Sequence, residues 1–186
     1  MNPKFSFVVV LASIITALGI RAILTGIGWI VTCRHQVRPY PLHLIGATLV
    51  FLLQIEFWWG TFSKSKLVEW KFYSFLVYLL TPILYYLVAE LLFPSRASSN
   101  IDFRQHYWEN FRWFYGIAAA IQLNNIAVDA LMPTGGSLIL ANTLRVAGFA
   151  ALMLMAFIKS ARVHALLYLI LAILFVLFVA IFEIKV

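Results

Sequence analysis

The sequence predicts an all-α integral membrane protein, a bundle of six transmembrane helices joined by short loops. Three observations carry this. Hydrophobic residues make up 63% of the 186-residue chain and charged residues only 11%, far below the roughly 25% charged of an average soluble domain. The apolar residues run in blocks near the ~20 residues that a helix needs to cross a bilayer. None of these blocks alternates with the period of two that marks a half-buried strand.

The first block, about 5–33, begins "MNPKFSFVVVLASIITALGI". Its start resembles a signal peptide, but the block runs on past Arg21 into "AILTGIGWIV". It is read as a retained first membrane helix. Pro39 and Pro41 mark the first connection, and the second block covers about 41–62. "SKSK" separates it from a third block at about 69–93, in which Pro82 predicts a kink. "PSRASSNIDFRQH" leads into a fourth block at about 107–132. The tight "PTGG" turn makes the fourth block and the fifth, at about 135–158, antiparallel neighbours. "KSAR" joins the fifth to a sixth at about 161–184. No linker is long enough to divide the chain, so residues 1–186 form a single domain.

The formal charge of +7 and pI near 9.8 would suggest nucleic acid in a soluble protein. Here the cations lie between apolar blocks, where they set topology and meet anionic headgroups, so no nucleic-acid partner is expected. Arg34, Arg38, Arg96, Arg104, Arg112, Lys159 and Arg162 share one side, seven against the five of Lys4, Lys64, Lys66, Lys71 and Lys185. The excess predicts that the first, third and fifth connections are cytoplasmic and both termini outside, in a bacterial-type inner or plasma membrane. Trp29, Trp58, Trp59, Trp70, Trp108 and Trp113 near the block ends fit an aromatic belt. "YWENFRW" (107–113) suggests contact with lipid headgroups.

Small residues four apart, Ala22/Gly26, Gly116/Ala120 and Ala147/Ala151, predict close helix contacts within the bundle. A homo-oligomer or a membrane partner protein is the other use of such faces. The first and last block pairs also echo each other. Each carries an arginine in its first block (Arg21, Arg145), a histidine opening its second (His43, His164) and a glutamate near its end (Glu56, Glu183). The single cysteine, Cys33, excludes an intrachain disulfide and a cysteine-based metal cluster.

The polar residues inside the apolar blocks are the candidates for function. Gln122, Asn125 and Asp129 stand at i, i+3 and i+7, one stripe of the fourth helix, with Asn124 pointing elsewhere. Gln54 and Glu56 in the second block, Asn142 and Arg145 in the fifth, and Arg21 in the first are placed at comparable depth. Each charge at the bilayer centre costs roughly 2.5–3.5 kcal/mol on insertion scales, so these groups should face inward and pair. Arg145 is expected to meet Asp129 or Glu56. This predicts an outward-facing polar pocket lined by Arg21, Gln54, Glu56, Gln122, Asn125, Asp129, Asn142 and Arg145.

The function expected from that pocket is small-molecule or ion transport, a channel, or binding of a small polar ligand. A structural accessory subunit, whose charges only lock helices, is the first alternative. The second is a membrane enzyme or redox protein using His43, His106 and His164, which open the second, fourth and sixth blocks. These histidines are weak metal candidates and are expected not to converge. No cofactor is expected. The sequence lacks a Gly-rich phosphate loop, a nucleophile elbow and a two-histidine helical metal motif. It also lacks a mid-span lysine for a retinal Schiff base.

Overall fold

A computed structural model describes residues 3–66, 70–94, 101–133 and 138–183. Its helices are α1 (Pro3–Thr32), α2 (Pro41–Gly60), α3 (Phe72–Leu92), α4 (Phe103–Leu131), α5 (Leu138–Phe157) and α6 (Ala161–Phe178). A 3₁₀ turn (Thr61–Lys66) extends α2, and a π turn (Val179–Glu183) extends α6. Among the described residues, five helical stretches are long and apolar enough to cross a membrane: Phe5–Thr32, Pro41–Ser65, Phe72–Leu92, Ile139–Phe157 and Ala161–Phe182. The sequence reading expected six. The exception is α4, which is long enough at 29 residues but is interrupted by Arg104, His106, Glu109, Arg112 and the Gln122–Asp129 stretch.

Neighbouring helices shelter that polar helix. It lies between α3 and α5 and buries Tyr107, Phe111, Tyr115, Ile121, Val128 and Asp129. The helices α2 to α6 close into a ring, in which α6 packs on both α5 and α2. The first helix lies outside this ring, against α2 and α3. Large apolar side chains such as Phe7, Leu24, Leu76, Ile139 and Leu166 cover the outer surface. Side chains of this kind are stable there when the solvent is lipid.

The fourth helix starts at Phe103, four residues before the sequence boundary. The carboxylate of Asp102 accepts from the backbone N–H of Arg104 at 2.8 Å and of Gln105 at 3.3 Å, which satisfies donors that a helix start leaves free. Asp102→Ala is expected to cost about 0.5–2 kcal/mol, read as a lowered unfolding temperature of the purified protein.

Asp102 also belongs to a feature the sequence reading did not contain. Val37–Arg38 (β1) pairs in parallel with Ile101–Asp102 (β2). Two residues per strand are too few to show any alternation. The pairing ties the α1–α2 connection to the segment entering α4, over a small core of Val37, Ile101 and Phe103. The first and third connections therefore share one end of the bundle. The fifth joins them, because His164 at the start of α6 contacts Tyr107 at the start of α4.

Of the small-residue pairs, Gly26 sits against the Phe93 ring, which a Cβ there would strike. Gly116 faces open space and makes no such approach. Pro82 lies inside α3, which runs as one helix from Phe72 to Leu92, and α4 bonds to the turn before it. Asn124 Nδ2 donates to Val77 O at 2.9 Å and to Thr81 Oγ1 at 2.8 Å, and Thr81 donates to Asn125 Oδ1 at 3.0 Å. Asn124, set aside by the stripe argument, thus shares its α3 contact with Asn125.

Candidate functional site

The ring encloses a cavity of about 320 Å³ lined by α2, α3, α4, α5 and α6. One face of α4 runs its length: Tyr115, Ala118, Gln122, Asn125 and Asp129 recur every three or four residues, the period of a single helical stripe. Glu56, Gly60 and Lys64 descend α2 and its 3₁₀ extension at intervals of four, and Arg145 and Gly148 face them from α5. The polar groups gather at the end where α2 and α4 finish. Apolar and aromatic side chains, among them Val50, Leu53, Phe114, Leu152 and Leu171, line the rest.

Asp129 is the centre of the charged end. One carboxylate oxygen pairs with Arg145 Nη1, and the other lies 3.5 Å from Lys64 Nζ. All three side chains are at least 85% shielded from solvent. Lys64 also donates to Met132 O at 3.0 Å, and Arg145 to Asn142 Oδ1 at 3.2 Å. The guanidinium carbon stands 5.2 Å from the Phe178 ring centroid, a cation–π contact from α6. With Glu56 on the same wall, the cavity carries two cations and two carboxylates, a neutral sum.

Five of the eight residues expected to share a pocket line this cavity: Glu56, Gln122, Asn125, Asp129 and Arg145. Asn142 lies behind Arg145 and orients it. The other two are elsewhere. Gln54 is wholly buried against Gly19 of α1, and neither polar atom of its side chain has a hydrogen-bond partner among the described residues. It stands two positions from Glu56, roughly 200° around the helix. Arg21 is exposed on α1, two positions from the fully buried Ile23 and so on the opposite face. Arg21 does not reach the cavity because α1 does not belong to the ring. The echo between block pairs fails at the same place, since Arg21 faces out where Arg145 faces in.

Lys64 is the site residue that the sequence reading missed. It was counted as a loop cation after "WWG", yet the chain continues as a 3₁₀ turn that carries its amine into the cavity. The signal was the four-residue spacing from Glu56 through Gly60. Tyr78, Tyr85, Tyr115 and Tyr168 also line the wall and were not singled out.

Each histidine is occupied separately. His43 Nε2 donates to Leu92 O at 2.5 Å, and its buried Nδ1 has no hydrogen-bond partner among the described residues. His106 Nε2 donates to Leu91 O at 3.0 Å and Nδ1 faces Asn110. His164 bonds Tyr107 through Nδ1 and Ile158 O through Nε2. Among the described residues, no three His, Cys, Asp or Glu side chains form a metal-binding group.

Fold and site together define a class: a helical bundle of membrane-spanning character around a cavity with a charged end and an apolar body. No known family, characterised protein or solved structure matches this chain.

Proposed function

We propose that this chain is a multi-pass membrane protein that binds a small polar molecule in the α2–α6 cavity and passes it across the bilayer. The observation that carries this reading is the cavity's chemistry. Lys64 and Arg145 offer donors to a carboxylate or phosphate, while Asp129 and Glu56 offer acceptors to an amine. A zwitterion with an apolar tail would match both the neutral polar end and the aromatic body. Volume supports the reading too, because a dry helix lock has no need of about 320 Å³. The cavity fits the pattern of a mostly apolar site with a few convergent polar groups.

The test is chemical access. In a Cys33→Ser background, Asn125→Cys in native membranes should react with a charged, membrane-impermeant thiol reagent. Amino acids and short carboxylates added first should slow that reaction. Complete inertness of Asn125→Cys would mean that the cavity does not admit a small polar molecule and would defeat the reading.

A second reading, an accessory subunit locked by buried charges, draws on the mutual pairing of Lys64, Asp129 and Arg145. The Asp129 variants discussed below separate the two.

The orientation belongs to the same proposal. Arg34, Arg38, Arg104, Arg112, Lys159 and Arg162 are all exposed at the end holding the first, third and fifth connections. Arg96 lies outside the described residues. Lys64, counted for the opposite side, is spent inside the bundle, whereas Lys71 on that side is exposed. We place the cation-rich end in the cytoplasm and the charged end of the cavity outside. Ser65→Cys should then label from outside in intact cells and Ser160→Cys only after permeabilisation; the reverse pattern would invert the assignment. Ser98, the other loop position suited to such labelling, lies outside the described residues.

A further inference from the structure

A chain of side-chain hydrogen bonds runs from the aromatic end of the cavity to the cation-rich end of the bundle. Tyr115 and Tyr168 line the cavity, and Tyr115 donates to Tyr168 Oη at 2.7 Å. Tyr115 Oη is 2.5 Å from Tyr107 Oη, which is 2.6 Å from His164 Nδ1. His164 Nε2 reaches Ile158 O, at the α5–α6 connection, at 2.7 Å. Every member is buried. Tyr168 is held in place by α2, where its hydroxyl fills the space a Cβ at Gly46 would take. The groups packed on the His164 ring are Tyr107, Trp108, Phe111 and Tyr115 of α4, with the Ile158 carbonyl from the end of α5.

Proton counting allows this chain two polarities. A carbonyl only accepts, so Nε2 carries a proton. Tyr115 gives its one proton to Tyr168, so Tyr107 gives its own to Tyr115. The proton between Tyr107 and His164 then belongs on Nδ1, so this polarity requires an imidazolium ring. The opposite polarity, Tyr168 to Tyr115 to Tyr107 to Nδ1, is equally self-consistent with a neutral ring. The two arrangements differ by one proton.

We propose that Tyr168, Tyr115, Tyr107 and His164 form a proton relay between the cavity and the cation-rich face. In one passage the Nδ1 proton moves to Tyr107, that of Tyr107 to Tyr115, that of Tyr115 to Tyr168, and that of Tyr168 to cavity water. His164 ends neutral, each phenol keeps one proton, and one proton has entered the cavity. The hydroxyls then turn back, and the neutral ring rotates so that its bare Nδ1 leaves Tyr107, takes a proton from water at the α5–α6 connection and returns. From Tyr107 to Asp129 is 22 positions of α4, roughly 33 Å at ~1.5 Å per residue, which matches the ~30 Å hydrocarbon core. Relay and cavity together therefore span the membrane thickness. The inference rests on the proposed function only in requiring water in the cavity.

The experiment is proton flux through the purified protein in liposomes holding a pH-sensitive dye, driven by a valinomycin potassium potential with no other solute added. The wild type should move protons well above protein-free vesicles. Tyr115→Phe, which removes one hydroxyl and keeps the ring, should lower the rate by about 10²-fold or more. His164→Gln, which still donates to Ile158 O but takes no further proton, should do the same. Tyr73→Phe, an exposed phenol off the path, should conduct like the wild type. Wild-type vesicles no leakier than empty ones, or wild-type flux through Tyr115→Phe, would overturn the relay. Should Tyr115→Phe not insert, Tyr168→Phe is read the same way. Accessible Asn125→Cys with proton-tight vesicles would leave the ligand reading standing and the relay refuted. Conducting vesicles whose flux falls in Tyr115→Phe, with Asn125→Cys closed to the reagent, would do the converse, since a water file admits protons where a bulky reagent stops.

Discussion

Asp129→Asn is expected to destabilise the protein by about 3–5 kcal/mol, more than either Lys64→Met or Arg145→Leu. The asymmetry follows from the geometry. Asp129 is shared by two cations, Arg145 on one oxygen and Lys64 on the other. Removing its charge leaves two buried cations side by side with Asn142 and Met132 O as their remaining polar contacts among the bonds described above. Removing Arg145 leaves the Lys64–Asp129 pair, and removing Lys64 leaves the Arg145–Asp129 pair. Each of these costs one charge-assisted bond, about 1.5–3 kcal/mol. Thermal unfolding of the detergent-purified variants measures all three. An Asp129→Asn protein as stable as the wild type would show that the carboxylate does not hold this end together. The triple variant Lys64→Met/Asp129→Asn/Arg145→Met removes every member of the cluster, and buried charge clusters replaced in this way often lose no stability. If it folds and keeps its activity, the charges are only a lock. If it folds without activity, they contact the ligand.

The same cluster shows where sequence reasoning reached and where it stopped. Apolar blocks and their punctuation gave every helix, because the cost of exposing backbone or charge to lipid leaves few alternatives. The Arg145–Asp129 pair was legible for the same reason: the "PTGG" turn made α4 and α5 antiparallel neighbours, and a guanidinium at that depth must find an acceptor. Arg21 and Gln54 were misassigned because depth along a helix is readable from spacing, whereas the side a helix turns toward its neighbours depends on which helices close the ring. Nothing in "ALGIRAIL" says that α1 lies outside. Lys64 was hidden by a different ambiguity. A lysine after a tryptophan pair reads as an interfacial anchor, and only the 3₁₀ continuation of α2 turns it inward. The β1–β2 pairing is too short to leave a periodic trace.

The tyrosines raise a related point. Tyr107, Phe111 and Tyr115 continue the Gln122–Asn125–Asp129 stripe backwards along α4 without a break in period. A count restricted to charged and amide side chains stops at Gln122. A phenol is apolar by area and polar at its tip, so hydropathy gives it no weight, yet inside a membrane its hydroxyl must find a partner. Two such groups, Tyr107 and Tyr115, help to keep one face of α4 buried despite its composition.

Gly148→Phe is expected to close the cavity while leaving the fold intact. Gly148 lines the cavity from α5, and a Cβ built there meets only the Gln122 amide, at 3.8 Å, which is ordinary contact. The added ring therefore extends into open volume rather than into packed atoms. Replacing a helical glycine also raises helix propensity by a few tenths of a kcal/mol or more, which offsets part of any loss. Stability should stay within about 1 kcal/mol of the wild type. Reaction of Asn125→Cys with the charged thiol reagent should nevertheless fall by an order of magnitude or more, because the ring fills the space beside Gln122, one turn from Asn125, that the reagent must occupy to react. Gly116→Phe is the matched control. Gly116 lies on α4, the helix of the reporter cysteine, but faces open space on the exposed side. The same ring there should leave the reaction rate unchanged. Equal rates in both variants would mean that the reagent reaches Asn125→Cys by a route other than the cavity, and a collapse of both would mean that the bundle, not the cavity, is what the substitution disturbs.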